Sequence, residues 1–121
     1  MAVARAFPNL TIETIVADFR HDLDLPQLDG LVAANSLHFV PRSDQVAVIA
    51  RLARHLKPGG TFVVVEYDAD SGNHWVPNPF SAQSWPGLAA SSGLVEPRLL
   101  ARVPSRFLGA IYSACARTSR G

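Results

Sequence analysis

The sequence predicts an α/β fold: an open, mostly parallel sheet closed by an antiparallel C-terminal hairpin. Three observations carry this. Short β-branched apolar runs alternate with a segment of helical periodicity, as sheets covered by crossover helices require. The run Asp29-Gly-Leu-Val-Ala-Ala34 lacks polar alternation, which suits a strand buried on both faces. Two apolar segments near the C-terminus are joined by only Pro104-Ser-Arg106, a connection too short for a parallel crossover.

Taken in order, Glu13-Thr-Ile-Val-Ala17 predicts a first strand, and Gly30–Asn35 a second behind the turn-forming Asp29-Gly30 pair. Ser43 predicts a helix N-cap, with Asp44 placed favourably in the first turn. Val46, Ile49, Ala50, Ala53 and Leu56 then recur at helical spacing. Pro58-Gly59-Gly60 is expected to stop this helix. Thr61-Phe-Val-Val-Val-Glu-Tyr67 is the strongest strand signal in the chain. Asp68–Phe80, with Gly72, Pro77 and Pro79, predicts a long loop. Ser81–Ser92 accommodates a short helix despite Pro86-Gly87, and the hairpin strands are expected at Arg98–Val103 and Phe107–Ala116.

The 121 residues suit one small domain, and 48% hydrophobic with 17% charged residues marks a globular chain. A net charge of +1 and scattered arginines give no basic stripe, so no nucleic acid is expected as partner. No apolar run approaches the ~20 residues of a bilayer span, so no membrane partner is expected either. The single cysteine, Cys115, excludes an internal disulfide and suits a cytoplasmic location; its apolar surroundings predict a buried thiol. No metal site is expected. Asp68-Ala-Asp-Ser-Gly-Asn73 misplaces the glycine of a calcium loop and has Pro79 where the closing glutamate belongs, and His21-Asp22 has no further ligand at workable spacing.

Three segments in order carry a resemblance: Ile15-Val-Ala-Asp-Phe19, Leu28-Asp-Gly-Leu-Val-Ala-Ala-Asn-Ser-Leu-His38, and Leu56-Lys-Pro-Gly-Gly-Thr-Phe-Val-Val-Val-Glu66. Together they resemble the second half of a class I S-adenosylmethionine-dependent methyltransferase, over roughly Ala4 to Ala116. The resemblance implies a partial Rossmann-like methyltransferase sheet, with strands matching positions 3, 4, 5, 6 and 7 of the family order 3-2-1-4-5-7-6 and strand 7 antiparallel. It also implies S-adenosylmethionine as cofactor and, more broadly, a small-molecule acceptor as substrate. The family's glycine-rich loop after strand 1 and its ribose-binding acid after strand 2 have no counterpart here. Ala2–Asn9 resembles the tail of the helix before strand 3. Residues 1–121 are therefore expected to form a single truncated methyltransferase-like domain, completed by self-association, by a missing N-terminal half, or by local re-pairing of its first strand. A non-catalytic half-domain that pairs with another chain is the alternative function.

Residue by residue, the resemblance implies that Asp18 and Phe19 hold the adenine. A carboxylate accepts from the adenine amino group, and an aromatic ring meets its flat face; alone, the same pair also describes a solvated turn aspartate before a core phenylalanine. Asn35, Ser36 and Leu37 are expected to contact the methionine portion of the cofactor. His38 is expected to face the substrate, where an imidazole could take a proton as a general base, or else to pack against the next helix. Tyr67 and Trp75, with Asp68, His74 and Trp85 nearby, are expected either to border the acceptor as a water-excluding lid or to cover core around the hairpin.

Overall fold

The computed structural model describes residue 11 and residues 13–106 and 108–120. Its strands are β1 (Leu28–Ala34), β2 (Leu56–Tyr67), β3 (Val95–Pro104) and β4 (Ala110–Arg117). Its α-helices are α1 (Arg42–Ala53) and α2 (Trp85–Ser91), and a single 3₁₀ turn spans Leu37–Phe39. The sheet order is β1-β2-β4-β3. β1 pairs with β2 in parallel, Gly30 opposite Thr61 and Ala34 opposite Val65. β2 and β3 each pair with β4 antiparallel, so the hairpin is the antiparallel element the short connection predicts.

Alternation sorts the sheet into two faces. Phe62, Val64 and Glu66 of β2 and Tyr112, Ala114 and Ala116 of β4 are buried, in one core with Val48, Ile49 and Leu52 of α1 and Trp85 and Ala89 of α2. Trp85 anchors this layer: its indole N–H donates to the Cys115 carbonyl at 3.1 Å, and its ring stacks on Phe80 at 6.1 Å. The Tyr112 hydroxyl donates to the Phe80 carbonyl at 2.6 Å, and burial followed by the nearby Glu66, Asp68 and Asp70 charges pushes its pKa upward. Cys115 is buried, as its setting predicts.

Four expectations change. Glu13–Ala17 is not a strand: it has no sheet pairing, and Ile15 and Val16 are exposed. β-propensity describes fit to a half-buried pleated surface, and no neighbouring strand among the described residues offers one. Asp29-Gly30 lies inside β1 instead of before it, as a register shift opposite Leu56 and Thr61. Ser43 sits inside the first turn of α1, whose N-cap is Pro41 without a side-chain bond. α1 ends at Ala53, and Pro58-Gly59-Gly60 belongs to the start of β2, where a Cβ on Gly60 would stand 2.9 Å from the Lys57 carbonyl oxygen. The expected helix tail at Ala2–Asn9 lies outside the described residues.

Candidate functional site

The site begins where β1 ends. Asn35 has φ 51°, a left-handed conformation that asparagine tolerates better than most side chains, and its N–H donates to the Val65 carbonyl at 2.9 Å. This reversal delivers the chain into the 3₁₀ turn, which places Leu37 in the core and His38 under the sheet end.

His38 meets Glu66, the penultimate residue of β2. Its ring Nδ1 lies 2.9 Å from Glu66 Oε1 and 3.2 Å from Oε2, and its backbone N–H donates to Oε2 at 3.1 Å. The Tyr67 N–H donates to Oε1 at 3.2 Å. Glu66 is fully buried and His38 nearly so. Burial pushes the Glu66 carboxyl up from its ordinary value, while the His38 ring and the two backbone N–H groups oppose that shift. In the tautomer whose Nδ1–H donates to Glu66, Nε2 is left as the acceptor nitrogen.

A cavity of about 420 Å³ opens on this pair, lined by Asn35, His38, Phe39, Tyr67, Trp75 and Val76. It lies outside the carboxyl ends of the parallel strands β1 and β2, where open α/β sheets place ligands. The His38 ring tilts against Phe39 at 4.3 Å and meets the Tyr67 ring edge-on at 6.0 Å. Trp75 is largely exposed and reaches the rim from the loop after β2.

That loop is held by its own polar groups. Asp68 accepts from the Ala82 N–H at 2.9 Å and from Arg102 Nε at 2.6 Å. Asp70 accepts from the Ser81 N–H and from the Ser81 and Ser84 hydroxyls, all within 2.9 Å. These donors lower both carboxyl pKa values. The buried Gln45 of α1 donates to the carbonyls of Val40 (3.2 Å) and Asn78 (2.9 Å), tying helix, turn and loop together. A Cβ on Gly72 would overlap the carbonyl oxygens of Val76 and Pro77. Gly72→Ala is therefore expected to cost about 1–3 kcal/mol in a urea denaturation curve, with altered tryptophan emission as Trp75 is displaced.

Of the residues singled out in the sequence, Asn35, His38, Tyr67 and Trp75 meet at one cavity. Ser36 and Leu37 stand behind it: the Ser36 carbonyl accepts from Phe39, and the Leu37 side chain is core. Asp18 is exposed and held by Arg20, whose Nη2 is 2.7 Å from Oδ2; that contact, with the Arg20 backbone N–H, lowers the carboxyl pKa strongly. Phe19 packs against the core edge. Trp85 is buried and Asp68 is engaged by Ala82 and Arg102, so neither lines the cavity. Sequence reasoning gave no role to Glu66, Phe39, Val76 or Gln45. For Glu66 a signal existed: a carboxylate on the same strand face as Phe62 and Val64 needs a buried partner. Among the described residues no three His, Cys, Asp or Glu side chains stand together as a metal site, and no helix is long and apolar enough to cross a membrane.

The architecture and the ligand-facing strand ends define a Rossmann-like sheet of the kind built by class I methyltransferases, and comparison with known proteins agrees. The methyltransferase domain family matches residues 1–60. No curated protein matches the chain in sequence. Among solved structures, Burkholderia thailandensis 1,6-didemethyltoxoflavin-N1-methyltransferase, with 1,6-didemethyltoxoflavin and S-adenosylhomocysteine bound, superposes with TM-score 0.74 at 19% identity, over 98% of this chain and 55% of that one. Human N-acetylserotonin methyltransferase in complex with SAM gives TM-score 0.67 at 19% identity, over 94% of this chain and 37% of that one. An O-methyltransferase from neocarzinostatin biosynthesis, bound to S-adenosylhomocysteine and 1,4-dihydroxy-2-naphthoic acid, gives 0.57 at 21% identity, over 87% and 33%. The chain thus spans between a third and about half of the length of these structures. It resembles the class I S-adenosylmethionine-dependent methyltransferases, in sequence over residues 1–60 and in fold over nearly its whole length.

Proposed function

We propose that this chain takes part in S-adenosylmethionine-dependent methyl transfer to a small-molecule acceptor, as one part of a complete methyltransferase domain. The observation that carries the reading is the buried His38–Glu66 pair opening onto an aromatic-lined cavity at the carboxyl ends of β1 and β2. The similar structures support it, since they are methyltransferases crystallised with SAM or S-adenosylhomocysteine and, in two cases, with a second small molecule. We place the protein in the cytoplasm on the strength of its single buried cysteine.

The residues present fit part of the cofactor. Asp18, an exposed acceptor beside the half-buried Phe19, has the chemistry for an adenine edge and face, and we assign the methionine portion to the turn Asn35-Ser36-Leu37, of which Asn35 lines the cavity. When bound, the cofactor supplies the methyl group as an electrophilic sulfonium, so alignment and desolvation accomplish most of the chemistry. Phe39, Trp75 and Val76 exclude water and bind a flat acceptor by its faces. Glu66 holds the His38 ring by Nδ1, leaving Nε2 to receive the proton that the acceptor hydroxyl or amine loses.

His38→Ala is expected to lower turnover by about 10²-fold or more at saturating cofactor, measured by transfer of labelled methyl to 1,4-dihydroxy-2-naphthoic acid as probe. Undiminished turnover in that variant would remove His38 from the chemistry. The second reading is a non-catalytic half-domain that pairs with another chain. It draws support from the outer edge of β1, which has no strand partner among the described residues. Methyl transfer by the chain as a proven monomer would exclude it.

A further inference from the structure

The buried stripe of α1 carries Gln45, Val48, Ile49 and Leu52. The last three are the apolar residues such a stripe requires; Gln45, 3% exposed, is polar. Its amide nitrogen stands 2.9 Å from the Asn78 carbonyl oxygen, 3.2 Å from that of Val40 and 3.5 Å from that of Leu37. Three carbonyls around one end of the amide settle which end it is, since only the NH2 group donates. Its two hydrogens go to the nearer oxygens, those of Asn78 and Val40. An apolar side chain of equal length would fill the same space at no desolvation cost, so the packing of α1 alone does not account for the amide.

These bonds join two walls of the cavity. One wall is the turn after β1, which contributes His38 and Phe39 and closes as the Val40 N–H donates to the Leu37 carbonyl at 3.0 Å. The other is the loop after β2, which contributes Trp75 and Val76. Beside the cavity this loop is braced from within. Asn73 Oδ1 accepts from the Trp75 and Val76 N–H groups at 3.0 and 2.8 Å, and the Asn73 N–H donates to the Val76 carbonyl at 2.9 Å. Pro77 and Pro79 fix φ on either side of Asn78. The walls meet at Asn78, whose N–H donates to the His38 carbonyl at 2.9 Å and whose own carbonyl accepts from Gln45. Gln45 stands behind this junction and does not line the cavity.

We propose that Gln45 is a positioning residue for acceptor selectivity: its amide fixes the gap between the two walls at the thickness of a planar ring system. Resting on the acceptor site proposed above, this role adds the shape of the acceptor, which is flat. Phe39 and Trp75 are 58% and 76% exposed, so each offers a ring to a ligand, and one comes from each wall. A flat ligand gains dispersion and ring contacts along its whole face. A puckered ligand on the same carbon skeleton pushes the walls apart. That movement stretches the bonds from Gln45 to Asn78 and Val40, and the Val40 carbonyl, in a fully buried residue, resists losing its donor.

The whole chain is titrated with 2-naphthol and with decahydro-2-naphthol, a flat and a puckered alcohol on one carbon skeleton, and separately with S-adenosylhomocysteine. Calorimetry gives the affinities, and amide chemical shifts give the location. The expected result is binding of 2-naphthol about tenfold tighter than its saturated twin, with shifts at Phe39, Tyr67 and Trp75. Gln45→Met, of similar length but without donors, is expected to cut that ratio to about threefold or less through a loss of 2-naphthol affinity. The affinity of the same variant for S-adenosylhomocysteine is expected to stay within about threefold of the parent, a split that general destabilisation would not produce. Asn73→Ala, which frees the Trp75 and Val76 N–H groups on the opposite wall, is expected to lower the ratio in the same direction. Equal affinity of the parent for the two alcohols, or an undiminished ratio in either folded variant, would overturn the proposal. The flat preference in a parent chain that fails to bind S-adenosylhomocysteine would contradict the methyl-transfer reading and leave the role of Gln45 standing.

Discussion

Glu66→Ala is expected to lower the free energy of unfolding by about 3 kcal/mol or more, since it leaves three buried donors without their acceptor at about 1–3 kcal/mol each. The carboxylate serves three donors at once: the His38 ring, the His38 N–H and the Tyr67 N–H. Truncation leaves all three without that acceptor, and its loss at Nδ1 frees the imidazole to change tautomer. Glu66→Gln retains an acceptor oxygen and is expected to lose less. The pH dependence has a definite sign. Burial raises the folded pKa of this carboxyl from its ordinary 4.5, so the folded state binds its proton more tightly than the unfolded chain. Its contribution to stability is therefore full below 4.5 and is lost as pH rises through the raised folded value. Urea denaturation of the two proteins should show the advantage of the parent over Glu66→Gln shrinking as pH rises, whereas a widening gap would contradict the assigned direction.

Trp85→Ala is expected to cost about 3–5 kcal/mol, the usual range for removing a large aromatic from a core. Trp85 is 1% exposed, in the short helix that caps the sheet between β2 and the hairpin. Removing it creates a cavity beside Phe62 and Phe80 and orphans the Cys115 carbonyl. Because Phe80 also receives the Tyr112 hydroxyl through its carbonyl, the damage should spread along the loop carrying Trp75. Thermal unfolding would show a lowered midpoint, and Trp85→Phe should recover most of the packing but not the hydrogen bond.

Where apolar periodicity and packing agree, the fold was legible in the sequence. The Val63-Val-Val65 run and the 3.6-residue recurrence of Val46, Ile49 and Ala53 correspond to β2 and α1. The short link Pro104-Ser-Arg106 correctly implied the antiparallel β3–β4 pair. Legibility ended where structure depends on a neighbour. Glu13–Ala17 has the composition of a strand, yet without a paired edge its backbone groups face water. Ser43 has good capping chemistry, but the chain enters α1 from Pro41, two residues earlier than that cap requires. Similarly, the residues around His38 could be named because they follow a strand in a familiar pattern, whereas the contact with Glu66 joins positions 28 residues apart. Only the parallel register of β1 on β2 brings those two side chains together. Arg98 and Arg117, at the far end of the hairpin, are brought to one recess by strand register in the same way.

The proposed function requires a cofactor-linked site at the carboxyl ends of β1 and β2. Calorimetric titration of the chain with S-adenosylhomocysteine, alongside its mass in solution, tests this most directly. Saturable binding at one site per chain, weakened by Asp18→Ala and unchanged by Arg98→Glu, is the predicted result. No heat of binding from a demonstrably folded chain would contradict the cofactor-binding role and leave pairing with another polypeptide as its function.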